Sequence, residues 1–421
     1  MVTSRIEVAP SGAQTEKAGL LLTWPRQAAP ESSLVASNTW DLDNYSAAPA
    51  VARDLFRITA GAYLADTAVS KPPVSLHRNI ELTAHVEDAT PWSDETLTEV
   101  AQLLHWLTGD SWTLRIRESA ANVTFAVADG ASRVQLLSGG LDSLCGAIIG
   151  LRDDTDRVRF VGHRDASNAV RHAQNKILAA IEPHPYDRHE LFIREAALRK
   201  NHGPRSRSLM FVAMGALTAA NHSAAELWVP ENGFTSINPP LDAGRGGTLT
   251  TRSTHPYTFH AIGELLRKLK IPVEVRNPFS DFTKGQLVAA AMPELMDANF
   301  LAATTASFSC AKGGTQFYGG DSNHNCGLCV ACVVRRASFI GAGISDPSLY
   351  DSELLSGENL NSLVKHHWRD IVTLRDASLM GIPEEAVLVS SVWPPGTDLD
   401  GVLDLVARGL EELRRVSLPS P

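Results

Sequence analysis

One stretch constrains this chain more than any other: Leu136-Leu137-Ser138-Gly139-Gly140-Leu141-Asp142-Ser143, followed by Leu144-Cys145-Gly146-Ala147-Ile148-Ile149. The apolar run ending at Leu137 reads as a buried parallel strand, Ser138-Gly139-Gly140 as a tight turn, and the apolar residues after Ser143 as a helix. Two glycines let backbone N–H groups approach an anion without a Cβ in the way, and the first helical turn adds unpaired donors and a positive dipole end. The pattern predicts a phosphate cradle formed by Leu137, Ser138, Gly139, Gly140, Leu141, Asp142 and Ser143. Asp142 is the odd member. A carboxylate beside phosphates repels them unless a cation lies between, so Mg²⁺ coordination is its expected task. A turn that merely joins strand to helix is the plainer reading of a bare Ser-Gly-Gly. The Walker A pattern is absent, which disfavours γ-phosphoryl transfer.

The chain is long enough to build a sheet around that turn. With 421 residues, 44% hydrophobic and 20% charged, it has the composition of an ordinary globular protein of two or three domains. A formal net charge of −9 argues against nucleic-acid binding by charge alone. No apolar run approaches the roughly 18 residues of a membrane span. Met1-Val2-Thr3-Ser4-Arg5-Ile6-Glu7 lacks the regions of a secretory signal, so no membrane contact and a cytoplasmic location are expected.

The organisation reads as three parts: 1–130, 131–344 and 345–421. The first is β-rich, with strands expected at 19–23, 55–64, 79–86, 113–117 and 123–128. Ser93 is placed to cap a helix that buries Leu97, Val100, Leu103, Leu104 and Leu107. This part carries no chemical motif, and either presents a partner or substrate or simply extends the core. The last part has amphipathic helices at 359–379 and 398–416, the second burying Val402, Leu405, Val406, Leu410 and Leu413. They suit packing onto the core or onto a second subunit of a homodimer.

In the middle part, 157–163 reads as the next parallel strand, with His163 at its carboxyl end, where a doubly wound sheet binds ligands. A polar surface histidine is the plainer reading. Asn201-His202-Gly203-Pro204-Arg205-Ser206-Arg207-Ser208 opens an apolar helix and places Arg207 where a triphosphate needs charge, unless the loop is merely solvated. A strand over 225–230 runs into a loop whose Glu231, Asn232, Gly233 and Asn238 suit a polar heterocycle. That loop continues through Arg245-Gly246-Gly247 and Thr250-Thr251 to Arg252 and Thr254, a donor-rich length that favours function. Lys284 stands at a helix start, unfavourable against the dipole and better explained by a phosphate partner.

Of five cysteines, Cys310, Cys326, Cys329 and Cys332 follow C-x15-C-x2-C-x2-C. Two overlapping CxxC units and one remote thiolate can wrap tetrahedrally around Zn²⁺, closing a structural site; an iron–sulfur cluster is the rival. Cys145, the fifth, reads as packed core between Leu144 and Gly146-Ala147-Ile148.

Ser138-Gly139-Gly140-x-Asp142-Ser143 at a strand-to-helix junction is the signature of the PP-loop ATP pyrophosphatases, which the chain resembles from about 134 to 336. Adding Gly203-Pro204-Arg205 through Arg207, Thr283-Lys284, Cys310 and Cys326-Gly327-Leu328-Cys329-Val330-Ala331-Cys332 before Arg335 and Arg336, it resembles the 7-cyano-7-deazaguanine synthases, QueC. Residues 1–130 and 345–421 lie outside that branch. The longer build, with Glu231-Asn232-Gly233 and Ser236-Ile237-Asn238-Pro239-Pro240, is similar to QueC-like proteins of anti-phage operons of the Qat and CBASS types.

The resemblance implies an α/β fold with a doubly wound parallel sheet of PP-loop type, a four-cysteine zinc loop and a helical C-terminal tail. It implies ATP, Mg²⁺ and Zn²⁺ as cofactors. A 7-deazaguanine carboxylate would attack the α-phosphorus of ATP, and an amine, ammonia in QueC, would attack the acyl-adenylate. By similarity Ser138, Gly139, Gly140, Asp142 and Ser143 hold pyrophosphate while Arg207 and Lys284 neutralise its charge. In the anti-phage setting a partner protein from the same operon would supply the amine. Two other readings stay open: a non-catalytic nucleotide or deazaguanine sensor or scaffold, and a tRNA-modifying enzyme of the same class using Cys145.

Overall fold

The computed structural model describes residues 3–419 except 17–18, 27–31, 73–76, 154–156, 165–166, 243–251 and 312. Arg245-Gly246-Gly247 and Thr250-Thr251 therefore lie outside the described residues. The chain begins with β1 (Thr3–Pro10), β2 (Leu20–Trp24) and β3 (Leu34–Ala36). Then come the long helix α1 (Ala50–Ala68), β4 (Asn79–Val86), α2 (Asp94–Thr108) and β5 (Ser111–Glu118). The central stretch is β6 (Arg133–Leu136), α3 (Leu141–Asp153), β7 (Val158–Arg164), α4 (Asn168–Ile181), β8 (Tyr186–Ile193) and α5 (Arg207–Asn221). It continues through β9 (Glu226–Trp228), α6 (Gly233–Ile237), α7 (Pro256–Lys268), β10 (Glu274–Arg276), α8 (Lys284–Ala290), α9 (Leu301–Ala306) and α10 (Val330–Gly341). The tail is α11 (Asp351–Leu354), α12 (Gly357–Met380), α13 (Glu384–Val389) and α14 (Leu399–Arg414).

Two sheets result. The first, ordered β2-β1-β4-β5, is parallel throughout. The second is ordered β10-β9-β6-β7-β8-β3, parallel except for β3, which pairs antiparallel with β8 as Leu34↔Ile193. Chain order reverses between β6 and β9, so the second sheet is doubly wound and its switch point lies at their carboxyl ends, where such sheets bind ligands. The turn after β6 and the loop after β9 are the two sequence motifs. The α/β architecture expected of a PP-loop protein is thus present.

Three expectations for the first part need correction. Residues 55–64 form the middle of α1, not a strand. The helix is buried from Ala52 to Ala68, packed between β4 and α5, so no polar face breaks its apolar pattern. Its alanines favour a helix at no cost in side-chain entropy. Residues 123–128 pair with no strand and leave Phe125 and Val127 74% and 88% exposed. The strand β1, an interior strand of the first sheet, is not among the strands expected from the sequence. The Ser93 cap and the buried face of α2 are as expected, Ser93 Oγ accepting the Thr96 N–H at 3.3 Å.

In the tail, α14 packs on α10 and α12, burying Val402, Leu405, Val406, Leu410 and Leu413 against Phe234, Val333 and Leu374. Each such side chain contributes about 1.5–3 kcal/mol of burial. Among the described residues no helix is long and apolar enough to cross a membrane.

Candidate functional site

The turn between β6 and α3 is built on Gly139. Its φ is +92°, and a Cβ there would lie 3.3 Å from Gln174 Cγ, so a left-handed conformation and crowding both require glycine. Ser138 Oγ accepts the Gly140 N–H at 3.3 Å and bonds Ser143 Oγ at 3.2 Å; Ser143 Oγ donates to the Gly140 carbonyl at 2.9 Å. Leu137 and Leu141 are fully buried, anchoring the turn from both sides.

Asp142 is the hub. One carboxylate oxygen accepts Lys284 Nζ at 2.6 Å; the other accepts Asn232 Nδ2 at 2.7 Å and the Asn232 N–H at 3.3 Å. Burial works to raise the Asp142 carboxyl, but Lys284 and the Asn232 donors outweigh it and hold the group below its ordinary range. Glu231 behaves oppositely. Burial, then the neighbouring Asp142 charge, pushes its carboxyl up to about 8 against the pull of Lys284. Ser138, Gly140, Leu141, Asp142, Glu231, Thr235 and Lys284 line one cavity of about 250 Å³. Its remaining wall is Phe308, Ser309, Ala331 and Val334.

That wall belongs to the cysteine segment. Phe308 N–H donates to the Gly139 carbonyl at 2.9 Å, and Asn325 Oδ1 takes the Ser309 and Cys310 N–H groups at 3.0 and 3.1 Å. The four cysteine sulfurs lie within 4.8 Å of one another, with 3.9 Å between Cys310 and Cys329 and 3.7 Å between Cys326 and Cys332. Tetrahedral Zn–S bonds of about 2.3 Å put neighbouring sulfurs about 3.8 Å apart, whereas a disulfide needs about 2.05 Å. The cluster could therefore hold zinc. Arg335, fully buried, donates to Ser307 Oγ, Ser309 Oγ, Ser348 Oγ and the Thr304 carbonyl, fastening the same wall to α10.

Other sequence candidates lie elsewhere. His163 is buried, with Nδ1 accepting Arg207 Nε at 3.0 Å, Nε2 on the Leu191 carbonyl at 3.2 Å, and Tyr63 edge-on at 5.5 Å. Burial first and Arg207 second drive its pKa well below the ordinary value, so it is a neutral imidazole. Arg207 lines a separate cavity of about 450 Å³ with Tyr63, Ser167, Asn201 and His202. Asn232 also caps α6, accepting the Thr235 N–H at 3.0 Å. Gly233 is a crossing point, because a Cβ there would sit 1.7 Å from the Ser280 carbonyl oxygen. Asn238 closes α6 at φ +50°. Arg252 lies over the Trp106 ring at 3.9 Å and donates to the Trp106 carbonyl at 3.3 Å. Gly233 and Thr254 line a further cavity of about 470 Å³ on the other side of α6. Cys145 is buried in the core and burial pushes its thiol up, as befits a packing residue.

Sequence reasoning missed the residues that hold Lys284 in place. Glu412 of α14 accepts Thr283 Oγ1 and the Gly285 N–H, the latter at 3.0 Å, and Arg408 reaches Gln286 Oε1 at 2.5 Å and the Asp281 carbonyl at 3.2 Å. Both look like solvent-facing charges of an amphipathic helix, so no local signal marks them. Asn277 was missed too. It brackets the Glu231 peptide, Oδ1 accepting Glu231 N–H at 3.3 Å and Nδ2 donating to the Glu231 carbonyl at 2.8 Å.

No family model matches the chain. Over short stretches it is similar to 7-cyano-7-deazaguanine synthases. The Brucella anthropi enzyme is 46% identical over 46 residues, 11% of this chain and 16% of that protein. Those of Cupriavidus taiwanensis and Cupriavidus necator are each 31% identical over 78 residues, 18% of this chain and 29% of theirs. The chain thus matches less than a third of the length of these curated relatives.

Proposed function

We propose that this chain is an ATP-dependent carbon–nitrogen ligase acting on a 7-deazaguanine carboxylate, such as 7-carboxy-7-deazaguanine. The convergence of the Ser138–Ser143 turn, Asp142, Lys284 and Glu231 on one cavity at the sheet's switch point carries this reading. A carboxylate oxygen attacks the α-phosphorus and the bond to pyrophosphate breaks. An amine lone pair then attacks the acyl carbon, the bond to AMP breaks, and the nitrogen gives up one proton. Backbone N–H groups of the turn and the Lys284 ammonium face the charge that grows on pyrophosphate, and they need no rearrangement to do so. The adjacent carboxyl groups of Asp142 and Glu231 offer the oxygen donors Mg²⁺ takes; with no cation between them, their repulsion keeps Glu231 protonated. Bound Mg²⁺ would neutralise phosphate charge. Zinc held by Cys310, Cys326, Cys329 and Cys332 would fix the Phe308–Ser309 wall. The long build outside the PP-loop core supports an anti-phage setting in which the amine belongs to a partner protein and the product is its deazaguanine amide.

The test is release of pyrophosphate and AMP from ATP with 7-carboxy-7-deazaguanine and an amine. Substrate-dependent release, lowered at least about 100-fold by Asp142→Asn, is expected. Absence of substrate-dependent release from zinc-loaded wild-type protein would sink the reading.

A further inference from the structure

The second cavity bordering α6 has a composition that selects its ligand. It is about 470 Å³ in volume and is walled by α6, the start of α7, residues 277–281 and α14. Its charged lining is Asp281, Asp398, Asp404 and Arg408. Arg408 is already committed: it donates to Asp404 Oδ2 at 2.7 Å, to Gln286 and to the Asp281 carbonyl. Two carboxylates thus exceed the cationic charge on the walls. Ile237, Phe259, Val402 and Leu405 supply an apolar floor.

A second observation is independent of the acids. Ser236, 3% exposed, lines this cavity, and its buried Oγ has no hydrogen-bond partner among the described residues. A hydroxyl left unpaired in the interior costs about as much as a lost hydrogen bond, so a polar partner is expected there. Carboxylates accept only, and a hydroxyl can accept; an ammonium group has three donors and no acceptor. An anion would be repelled, and a purely apolar ligand would leave Ser236 Oγ unpaired.

We propose that this cavity binds a primary ammonium group and is where the amine substrate is held, the second clause resting on the ligase reading above. Geometry connects the two cavities. Thr235 of the single-turn helix α6 faces the Asp142 cavity, whereas Gly233, Ser236 and Ile237 face this one. Asn277 lines this cavity while its side chain brackets the Glu231 peptide. An amine held here is one turn of helix away from the phosphate cradle.

Binding is measured first, on the full chain without ATP, using a fluorescent lysine-free peptide with a free amino terminus, its N-acetylated counterpart, and n-butylammonium chloride as competitor. The variants are Asp281→Asn with Asp398→Asn, the latter chosen because an asparagine side chain still caps α14, and separately Ser236→Ala. The free-amine peptide should bind, the acetylated one at least about 10-fold more weakly, and both variants should weaken the free-amine peptide by about 10-fold, the worth of one charge-assisted hydrogen bond. Competition by n-butylammonium would assign a small amine; binding of the peptide alone would assign a polypeptide amine. Equal binding of free and acetylated peptides, or unchanged binding in both variants, overturns the site. In turnover, the ratio of amine KM to ATP KM should rise about 10-fold in the variants. Wild-type protein that releases no pyrophosphate would defeat the ligase reading while the binding data still decide the cavity. Normal release with an unmoved KM ratio would defeat the amine site and leave the ligase reading standing.

Discussion

Arg78 and Lys284 are both buried cations held by buried aspartates, yet their surroundings differ. Arg78, just before β4, donates to Asp66 of α1 and to Asp110 at the head of β5, both at 2.5 Å, and to the Asp66 and Val69 carbonyls. Asp66 is further bonded by Asn201 Nδ2 and by the Ser206 hydroxyl and N–H, so the cluster pins the first sheet to the start of α5. Its carboxylates are consumed by the protein itself. Around Lys284 the same chemistry is left incomplete: Asp142 and Lys284 pair at 2.6 Å on a cavity wall, beside a carboxyl that burial keeps protonated near neutrality. Burial of a charge pair is therefore no mark of function. What separates the two is whether the pair borders space that a ligand can fill.

Substitution should split the two clusters cleanly. Arg78→Met strands two buried carboxylates and should cost about 3–5 kcal/mol of unfolding free energy in urea, with the rate per folded molecule nearly unchanged. Lys284→Met should do the reverse. Asp142 keeps both Asn232 donors and gains access to water, so the stability loss is about 1–2 kcal/mol, while pyrophosphate release falls about 10²–10³-fold. If Arg78→Met were as inactive as Lys284→Met while fully folded, the contrast would fail.

A third test concerns the seam where β3 joins the second sheet. His189 is buried there, bonded by Asn38 Nδ2 at 2.7 Å and by the Tyr45 hydroxyl at 2.8 Å. Burial pushes its pKa down to about 4, against a weaker pull from Asp187. The unfolded chain takes up a proton near pH 6.5 and the native chain only near 4, so stability falls as pH drops through that window. The loss at pH 5 should be roughly 2 kcal/mol, and His189→Gln should flatten that limb. An unchanged pH profile in the variant would place the acid sensitivity elsewhere, with His163 the next group of the same sign.

The parts legible from sequence share a physical cause: their signals are local. A glycine forced to positive φ at Gly139, a hydroxyl cap at Ser93, and thiolates at metal-ligand spacing each need only a few neighbouring residues. The helix α1 reads as a strand in sequence because its partners lie on both faces and far along the chain, in β4 and α5. Tertiary burial erases the polar stripe that would reveal its period. Arg207 and Lys284 both point to phosphate by their helix-start patterns, yet they line different cavities. A helix start fixes a residue's direction along one strand edge, whereas its neighbours depend on which strands flank it.

The smallest predicted effect decides which cluster the C-terminal helix belongs to. Glu412 projects from α14 onto the first turn of α8, where its carboxylate receives Thr283 Oγ1 and the Gly285 N–H on either side of Lys284. A negative charge at a helix start is favourable, and these are cap-type hydrogen bonds, so Glu412→Ala should cost about 1 kcal/mol. That cost alone would suit a purely structural contact like those around Arg78. If Glu412 instead positions Lys284, the same variant also slows pyrophosphate release several-fold at unchanged ATP KM, and Glu412→Gln recovers part of the rate by keeping one cap bond. The double variant separates the cases. In a Lys284→Met background, Glu412→Ala should still lower stability by about 1 kcal/mol but have no further effect on rate, because the side chain through which it acts is gone. Additive rate losses would show that Glu412 reaches the site by another route and would detach α14 from the Lys284 cluster.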